Sequence, residues 1–221
     1  MTKNLLVVES DNDKYFIEAL IGYLNLTDVE VGSPICNIDD FECLDGISHL
    51  KSRLIRLKSQ LDKAEIDKLG IILDANKVGI HTRVKLINDS LRNICSDISL
   101  DSTNTLVTSA ELDIQIACHI INVDGAGELE TLMKVIKSKQ STYADCLDGW
   151  RKCLKENGKA IGDKHFDKFW VSIYHRYDNC KMNEGNADKN CRGETGIKKD
   201  VWNFEHPALN DLKHFLRLFG N

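Results

Sequence analysis

Two acidic residues stand directly after short apolar segments of the chain. Glu9 follows Leu-Leu-Val-Val at residues 5–8. Asp74 follows Ile-Ile-Leu at residues 71–73, and Asn76 comes two positions later. Apolar runs of this length are typical of strands that are buried on both faces of a parallel sheet. Because open parallel sheets bind ligands beyond the carboxyl ends of their strands, we expect these side chains to meet at one edge.

Carboxylate and amide oxygens that converge in this way suit a hard cation such as Mg²⁺ or Mn²⁺, which takes oxygen ligands and keeps several waters. A cation held there binds a phosphate oxygen and lowers the pKa of a bound water. The alternative is that these acids have only a local role. An acid after a strand can cap the following helix and interact favourably with the helix dipole. We prefer this alternative for Asp11 and Asp13. For Glu9 and Asp74, composition and spacing favour neither explanation over the other.

Hydrophobic residues recur at helical spacing between the apolar segments. Alternating strands and helices favour parallel pairing with right-handed crossovers. The predicted fold class is therefore α/β: a central, mostly parallel sheet flanked by helices, with additional C-terminal helices. We assign residues 1–140 to the α/β core and residues 141–221 to a mainly helical extension packed on it.

The predicted elements cover most of the chain. The segment 112–123 is long and a candidate for antiparallel pairing, and the polar segment 179–200 reads as an irregular loop. The predicted strands lie at 5–9, 29–35, 70–73, 105–108 and 112–123, and the predicted helices lie after residue 10 and at 46–63, 78–94, 127–138, 141–157, 163–178 and 206–219.

The composition is that of an ordinary globular protein. The chain has 221 residues, of which 42% are hydrophobic and 29% charged, and its net charge of −5 gives no global argument for nucleic-acid binding. The apolar runs are too short to span a bilayer, and no signal peptide is apparent. We therefore expect a cytoplasmic protein without a membrane partner. The absence of a Walker A loop and of Gly-x-Gly-x-x-Gly argues against a self-contained ATPase or a Rossmann dehydrogenase.

The eight cysteines contain no Cys-x-x-Cys pair. In a reducing compartment we expect several of them to act as small core residues. Cys146 and Cys153 lie seven positions apart on a predicted helix. They therefore share one face of that helix, and we expect this face to be packed.

Two stretches of the chain resemble the motifs of the Toprim domain. Residues 6–13, Leu-Val-Val-Glu-Ser-Asp-Asn-Asp, resemble the first motif, an apolar strand that ends in Glu and precedes a helix. Residues 73–76, Leu-Asp-Ala-Asn, resemble the second motif, in which Asp-x-Asp ends a strand; Gly79 and Arg83 follow. The resemblance covers about the first 130 residues of the chain.

The whole chain is also similar to a family of stand-alone microbial Toprim-like proteins. The Gly-Glu-Leu-Glu segment at 127–130 and residues 202–209 fit this similarity. Toprim domains occur in topoisomerases, primases, some ribonucleases and, more distantly related, the overcoming-lysogenization-defect nucleases. The resemblance implies a Mg²⁺-dependent nuclease or phosphoryl-transfer protein that acts on nucleic acid.

The resemblance also implies roles for individual residues. Glu9 becomes the general acid or base, or a metal ligand, and Asp74 the main metal ligand. Asn76 stands where the family has its second aspartate, and Ser10 where a glycine is usual. Because asparagine keeps an oxygen but loses a charge, the alternative is a catalytically degenerate interaction or regulatory protein. Its partner would then be a protein such as an ATPase in a defence system.

Three further residues are candidates for the same site. Glu128 and Glu130 stand where nuclease members supply extra acids, so they are candidate metal ligands that replace the charge missing at Asn76. The alternative, which we prefer, is that they are acids at a helix start, answering its dipole. Arg83 is a candidate contact to a substrate phosphate, since a guanidinium forks onto phosphate oxygens. For Arg83 we prefer a surface position on its helix.

Overall fold

A computed structural model describes residues 3–35, 48–61, 63, 65–179, 193–198 and 201–220. In these residues five strands form one sheet of order β2-β1-β3-β5-β4. The pairings β1–β2, β1–β3 and β3–β5 are parallel, and β4 pairs antiparallel with β5. The strands are β1 (Lys3–Val7), β2 (Val29–Val31), β3 (Ile66–Asp74), β4 (Val107–Ser109) and β5 (Ile114–Ile121).

Helices connect the strands and continue beyond the sheet. Those between strands or directly after them are α1 (Asp11–Leu24), α2 (Ser48–Leu61), α3 (Gly79–Leu91) and α4 (Leu129–Val135). The later helices are α5 (Thr142–Asp145), α6 (Leu147–Glu156), α7 (Asp163–Ile173), which runs on into a π-helix (Tyr174–Asn179), α8 (Gly193–Ile197), a 3₁₀ turn (Pro207–Leu209) and α9 (Asn210–Arg217).

Side chains of the central strands alternate between two hydrophobic cores. In β1, Leu5 and Val7 join a core with α2 and α3 on one face of the sheet, whereas Leu6 joins a core with α1, α4, α7 and α9 on the other. This alternation follows from the two-residue period of a strand. Helices therefore cover both faces of a mostly parallel sheet, and the predicted α/β fold class is confirmed.

The C-terminal helices pack on the face of the sheet that α1 covers. The Nζ of Lys68 in β3 donates to the carbonyl of Leu218 at 2.6 Å, and the side chain of Asn4 in β1 donates to the carbonyl of Phe219. The end of the chain is thus attached to two central strands. The assignment of residues 1–140 and 141–221 to two parts stays a prediction.

Several predicted elements are present with different bounds. The strand expected at 29–35 ends at Val31. The segment expected as one helix at 141–157 forms the separate helices α5 and α6, which meet at Cys146. The C-terminal helix begins with a 3₁₀ turn because Pro207 lacks the N–H that would extend the helix backwards. Of the loop expected at 179–200, residues 180–192, 199 and 200 lie outside the described residues.

The prediction that Cys146 and Cys153 lie on a packed face is wrong. Both side chains are exposed, and α6 buries none of its residues. Helical spacing shows that two residues share a face but not whether anything covers it. Cys95 and Cys118 are buried in the core, as expected for several of the cysteines. The other four cysteines lie outside the described residues: Cys36, Cys43, Cys180 and Cys191.

None of the helices in the described part of the chain is long and apolar enough to cross a bilayer.

The strand order creates a crevice at the carboxyl ends of β1 and β3. The chain runs from β1 to β2 on one side of it and then returns to β3 on the other side. The connections that leave β1 and β3 therefore diverge between these two strands. In open α/β sheets such a switch point is where ligands bind. Glu9 follows β1 and Asp74 ends β3, so both side chains belong to the rim of this crevice.

Gly70 allows the C-terminal residues to approach the centre of the sheet. A Cβ atom at this position would meet Leu6 Cδ2 at 2.4 Å and Phe219 Cζ at 2.9 Å. We expect Gly70→Ala to lower the free energy of unfolding by about 1–3 kcal/mol, because it overpacks this core. Gly149→Ala in α6 is the control, since its new Cβ has nothing within 4 Å. Urea unfolding of both variants measures the difference, and equal stabilities would contradict this account of the packing.

Candidate acidic site

Five carboxylate side chains come together at the crevice beyond β1 and β3. Burial raises the pKa of Asp74 well above its ordinary value, and the negative charges of the other four raise it further. These four acids come from three parts of the fold: the end of β1, the first turn of α1, and the start of α4. The other four are Glu9, Asp13, Glu128 and Glu130.

Asp74 fixes the end of β3 to the start of α4. Its Oδ1 accepts a hydrogen bond from the backbone N–H of Leu129 at 3.0 Å, and its side chain is buried. The loops on either side are joined as well. The Asn76 N–H donates to the Gly127 carbonyl at 2.7 Å, and the Gly127 N–H donates back to the Asn76 carbonyl at 3.0 Å. These bonds bring Glu128 and Glu130 to Asp74.

The backbone conformation explains the residue types in this pair of loops. Asn76 has φ of 51° and Gly127 has φ of 91°. Both values lie in the left-handed region, which glycine adopts freely and which asparagine tolerates better than most residues. Asparagine at position 76 therefore suits the turn that follows β3, whatever its side chain does in the site.

Asp13 caps a helix and also belongs to the acidic cluster. Its Oδ2 accepts hydrogen bonds from the Ser10 N–H at 2.8 Å and from the Ser10 hydroxyl at 2.7 Å. The Asp13 N–H donates to Ser10 Oγ at 3.3 Å, and this bond closes a capping box with the bond from the Ser10 N–H at the start of α1. The predicted capping role is thus confirmed. Its Oδ1, however, is buried without a hydrogen-bond partner. The sequence signal for this second role is the spacing from Glu9, because the first turn of a helix brings a residue four positions later back over the strand end.

Arg83 lies inside the site rather than on the surface. Its side chain is only 6% exposed, so the preferred surface position is wrong. Its Nε donates to the Asp74 carbonyl at 2.8 Å, and its Nη2 donates to the Asn76 side-chain oxygen at 2.6 Å. The amide nitrogen of Asn76 donates in turn to Glu128 Oε1. Arg83 and Asn76 therefore link the end of β3 to the acid at the start of α4.

A lysine from the C-terminal helices completes this chain of contacts. Lys164 of α7 places its Nζ 3.2 Å from Glu128 Oε1. Burial raises the pKa of Glu9, and the positive charge of Lys164 partly opposes this rise. Lys164 carries no sequence signal for this role, because it lies far from the motif residues along the chain and belongs to no motif.

Burial is the main cause of the high carboxyl pKa values. It raises the pKa of Asp13 to about 7, with a further contribution from the charge of Glu9. The pKa of Glu9 is raised by burial, while Arg83, a backbone hydrogen bond from Asp74 and Lys164 act against this rise. At neutral pH the cluster therefore holds protons that exposed carboxylates would have released.

A family model described as a protein of unknown function, DUF3226, matches residues 3–221. The chain belongs to the DUF3226 family. No curated protein and no solved structure matches the chain. The match to DUF3226 runs from β1 to the last helix, so the acidic cluster and the C-terminal helices lie within the same family region.

The structure of this DUF3226 chain brings every predicted site residue to one place. Glu128 caps α4 and Glu130 lies in its first turn, so they are acids at a helix start, as we preferred. Both are also buried in the cluster, and Glu130 accepts a hydrogen bond from the Asn12 side chain at 3.4 Å. The two explanations offered for these acids are therefore compatible. The remaining members of the predicted set are Glu9, Asp74, Asn76 and Arg83.

The donors of the DUF3226 cluster suit a hard cation in type. All are carboxylate or amide oxygens, and two carboxylate oxygens, Glu9 Oε2 and Asp13 Oδ1, are buried without a partner. Within the described ranges, however, no group of three or more His, Cys, Asp or Glu side chains is arranged to hold a metal ion. Binding a cation would therefore require the carboxylates to rearrange around it and release their protons.

The raised pKa values predict how the stability of the metal-free DUF3226 protein depends on pH. Asp74 and Asp13 keep protons in the folded state above the ordinary aspartate pKa of 3.8. The folded state thus binds more protons than the unfolded state between that value and about 7 for Asp13. The free energy of unfolding should therefore fall as pH rises through this window.

Asp74→Asn should make this fall shallower, because asparagine cannot ionise yet keeps the oxygen that accepts from Leu129. In chelator at about pH 8 we expect the variant to be more stable than the wild type by about 1 kcal/mol or more. Urea unfolding between about pH 5 and pH 8 measures the slope. Asp67→Asn, at an exposed aspartate of β3 outside the cluster, is the matched control and should keep the wild-type slope. Identical slopes for all three proteins would contradict the buried acidic cluster.

Proposed function

We propose that the acidic cluster binds Mg²⁺ or Mn²⁺ and that the protein cleaves phosphodiester bonds or transfers phosphoryl groups in nucleic acid. One observation carries the proposal: five carboxylates converge at the switch point of the sheet, and two of their oxygens are buried without a hydrogen-bond partner. The resemblance of residues 6–13 and 73–76 to the Toprim motifs supports the same reading. A divalent cation bound there would stabilise the negative charge of a phosphate during the reaction.

Asp74 and Glu9 have different roles in this proposal. Asp74 is the main ligand, because the Leu129 N–H and the end of β3 fix its position. Glu9 is the general acid or base. Its pKa is raised by burial, which brings it toward neutral pH, and general catalysts work best when their pKa lies near the working pH. Its unpartnered Oε2 leaves one oxygen for a proton or a ligand.

Glu128, Glu130 and Asn76 complete the proposed ligand set. Glu128 is engaged by Asn76 and Lys164, so a cation would compete with a lysine for its charge. Arg83 contributes positive charge at the rim of the site. Its Nε and Nη2 already donate to Asp74 and Asn76. A contact to a substrate phosphate would therefore come from Nη1, the remaining nitrogen of the guanidinium.

We also propose that the protein works in the cytoplasm. Cys95 and Cys118 are buried free thiols, and Cys146 and Cys153 are exposed free thiols. Unpaired cysteines fit a reducing compartment, which is also where a nucleic-acid substrate is found.

A second candidate function follows from Asn76 and its contacts. The amide joins Arg83 to Glu128, so the protein itself compensates charge where the Toprim motif has a metal-binding aspartate. A degenerate Toprim-like domain of this kind would act as an interaction or regulatory protein, with a partner such as an ATPase.

A nuclease assay with the purified chain tests the leading proposal. We expect Mg²⁺- or Mn²⁺-dependent cleavage of DNA or RNA that a chelator abolishes. Glu9→Gln and Asp74→Asn should each lower the rate by about 100-fold or more, since each removes a catalytic or ligand oxygen charge while keeping the side-chain shape. Asp11→Asn is the control: Asp11 is an exposed acid in the first turn of α1 and should leave the rate within about twofold.

Full activity in folded Glu9→Gln and Asp74→Asn proteins would exclude the acidic cluster as the active site. A folded wild type that cleaves neither DNA nor RNA with either metal would contradict the nuclease proposal and favour the interaction protein.

A further inference from the structure

A pocket of about 390 Å³ opens beside the acidic cluster. It shares Asn76 and Glu128 with the cluster, so the two sites have a common wall. Its remaining walls come from Lys77 in the loop after β3, from the loop before α4, from α4 itself, and from α6 and α7 of the C-terminal helices. A volume of this size lies within the range of about 300–1,000 Å³ that is typical of small-molecule sites.

The pocket has one more cation than acids in its lining, whereas the cluster is dominated by acids. Four cationic side chains line the pocket, against the three acids Glu128, Asp163 and Asp167. The acidic cluster, by contrast, gathers five carboxylates around one buried arginine. An anionic group approaching this part of the molecule is therefore favoured in the pocket. The four cations are Lys77, Lys134, Arg151 and Lys164.

Two of the cations are held by acids of the pocket itself. Lys134 Nζ lies 2.7 Å from Asp167 Oδ1 and also 4.7 Å from the centre of the Phe166 ring. Arg151 Nη2 lies 2.5 Å from Asp163 Oδ1. These contacts fix the two cationic groups on the wall of the pocket and compensate the two acids, so neither acid is left unpaired to repel an anionic ligand.

The other two cations are better placed to change partners. Lys77 is exposed and makes no direct ion pair in the described ranges. The hydrogen bond from Arg151 lowers the pKa of Asp163, and the charge of Lys77 contributes to this shift. Lys164 is 40% exposed at its side chain and contacts Glu128 at 3.2 Å, where the pocket meets the acidic cluster. A phosphate bound beside Glu128 would give Lys164 a second anionic partner within reach.

We propose that this pocket binds the phosphate of a nucleotide, with Lys77 and Lys164 as its principal contacts. The nucleotide is either the end of a nucleic-acid strand or a free mononucleotide, since both present the same phosphate. When the phosphate binds, Lys164 turns from Glu128 toward it and leaves that carboxylate for the acidic site. Phosphate binding stands on the pocket alone, whereas its use in cleavage rests on the proposed function.

The pocket also gives the C-terminal helices a role at the site. Arg151 belongs to α6 and Lys164 to α7, so the positive side of the pocket is incomplete without residues beyond 140. These helices place a phosphate next to the acids rather than merely covering the sheet.

Binding of a short single strand tests the proposal without any cleavage. The probe is a strand of about four nucleotides with a 5′-phosphate and a 3′ fluorophore. Fluorescence polarisation measures its Kd for the full chain in chelator, so that failure of metal-dependent cleavage does not affect the result. We expect Lys77→Ala and Lys164→Ala each to raise the Kd about tenfold, because each removes a charged contact to phosphate. The same strand without its 5′-phosphate should bind the wild type more weakly.

Lys152→Ala is the matched control. It removes the same charge from α6, but its side chain is 79% exposed and does not line the pocket. We expect its Kd to stay within about twofold of the wild type. Thermal unfolding checks that Lys164→Ala folds. Lys77→Ala decides the question if it does not, because Lys77 is exposed and makes no ion pair with the described part of the chain.

Competition distinguishes the two sources of the phosphate. Displacement of the probe by adenosine 5′-monophosphate as readily as by the unlabelled strand supports a free nucleotide. Displacement by the strand alone supports a strand end. Equal Kd values for the phosphorylated and unphosphorylated strands, or equal weakening in all three lysine variants, would overturn the proposal, since binding would then reflect general surface charge.

Discussion

Mutual repulsion among five clustered carboxylates, four of them buried, is the constraint on which the rest of the site depends. Burial already disfavours the charged form of Asp74, and each neighbouring acid disfavours it further. Such a cluster persists only if its charge is compensated by protons or by cations. The protein supplies both, since burial raises the pKa of Asp13 to about 7 and Arg83 and Lys164 bring positive charge to the rim. A divalent cation would compensate the same charge more completely.

The fold holds the acids in this arrangement through contacts with the backbone. Asp74 ends a central strand and accepts from the Leu129 N–H, and Asp13 closes a capping box with Ser10. The free energy that holds them comes from the two hydrophobic cores on either face of the sheet, not from the acids. The C-terminal helices then contribute Lys164 and the wall of a cationic pocket. The acidic cluster and the pocket thus adjoin, and the ion pair of Lys164 with Glu128 lies where they meet.

The sequence predicted the meeting of Glu9 and Asp74 because parallel strands fix both the direction and the edge at which they end. It did not predict the burial of Arg83, since a charged residue on an amphipathic helix looks like a surface residue unless the neighbouring loop is known. The sequence predicts only helix capping for Asp13, because its position at the start of a helix explains the residue without reference to the acidic cluster. Lys164 carried no local signal at all. In each case the missing information is the approach of a segment distant along the chain, which periodicity and motifs do not encode.

We propose that the cluster exchanges protons for a divalent cation. Calorimetric titration of Mn²⁺ into the wild type near pH 7, in two buffers with different ionisation enthalpies, measures the ion's affinity and the protons it displaces. We predict binding with release of about one proton or more, because Asp13 and Asp74 hold protons that a cation must displace. Absence of binding at millimolar Mn²⁺, or binding with the same heat in both buffers, would contradict the account.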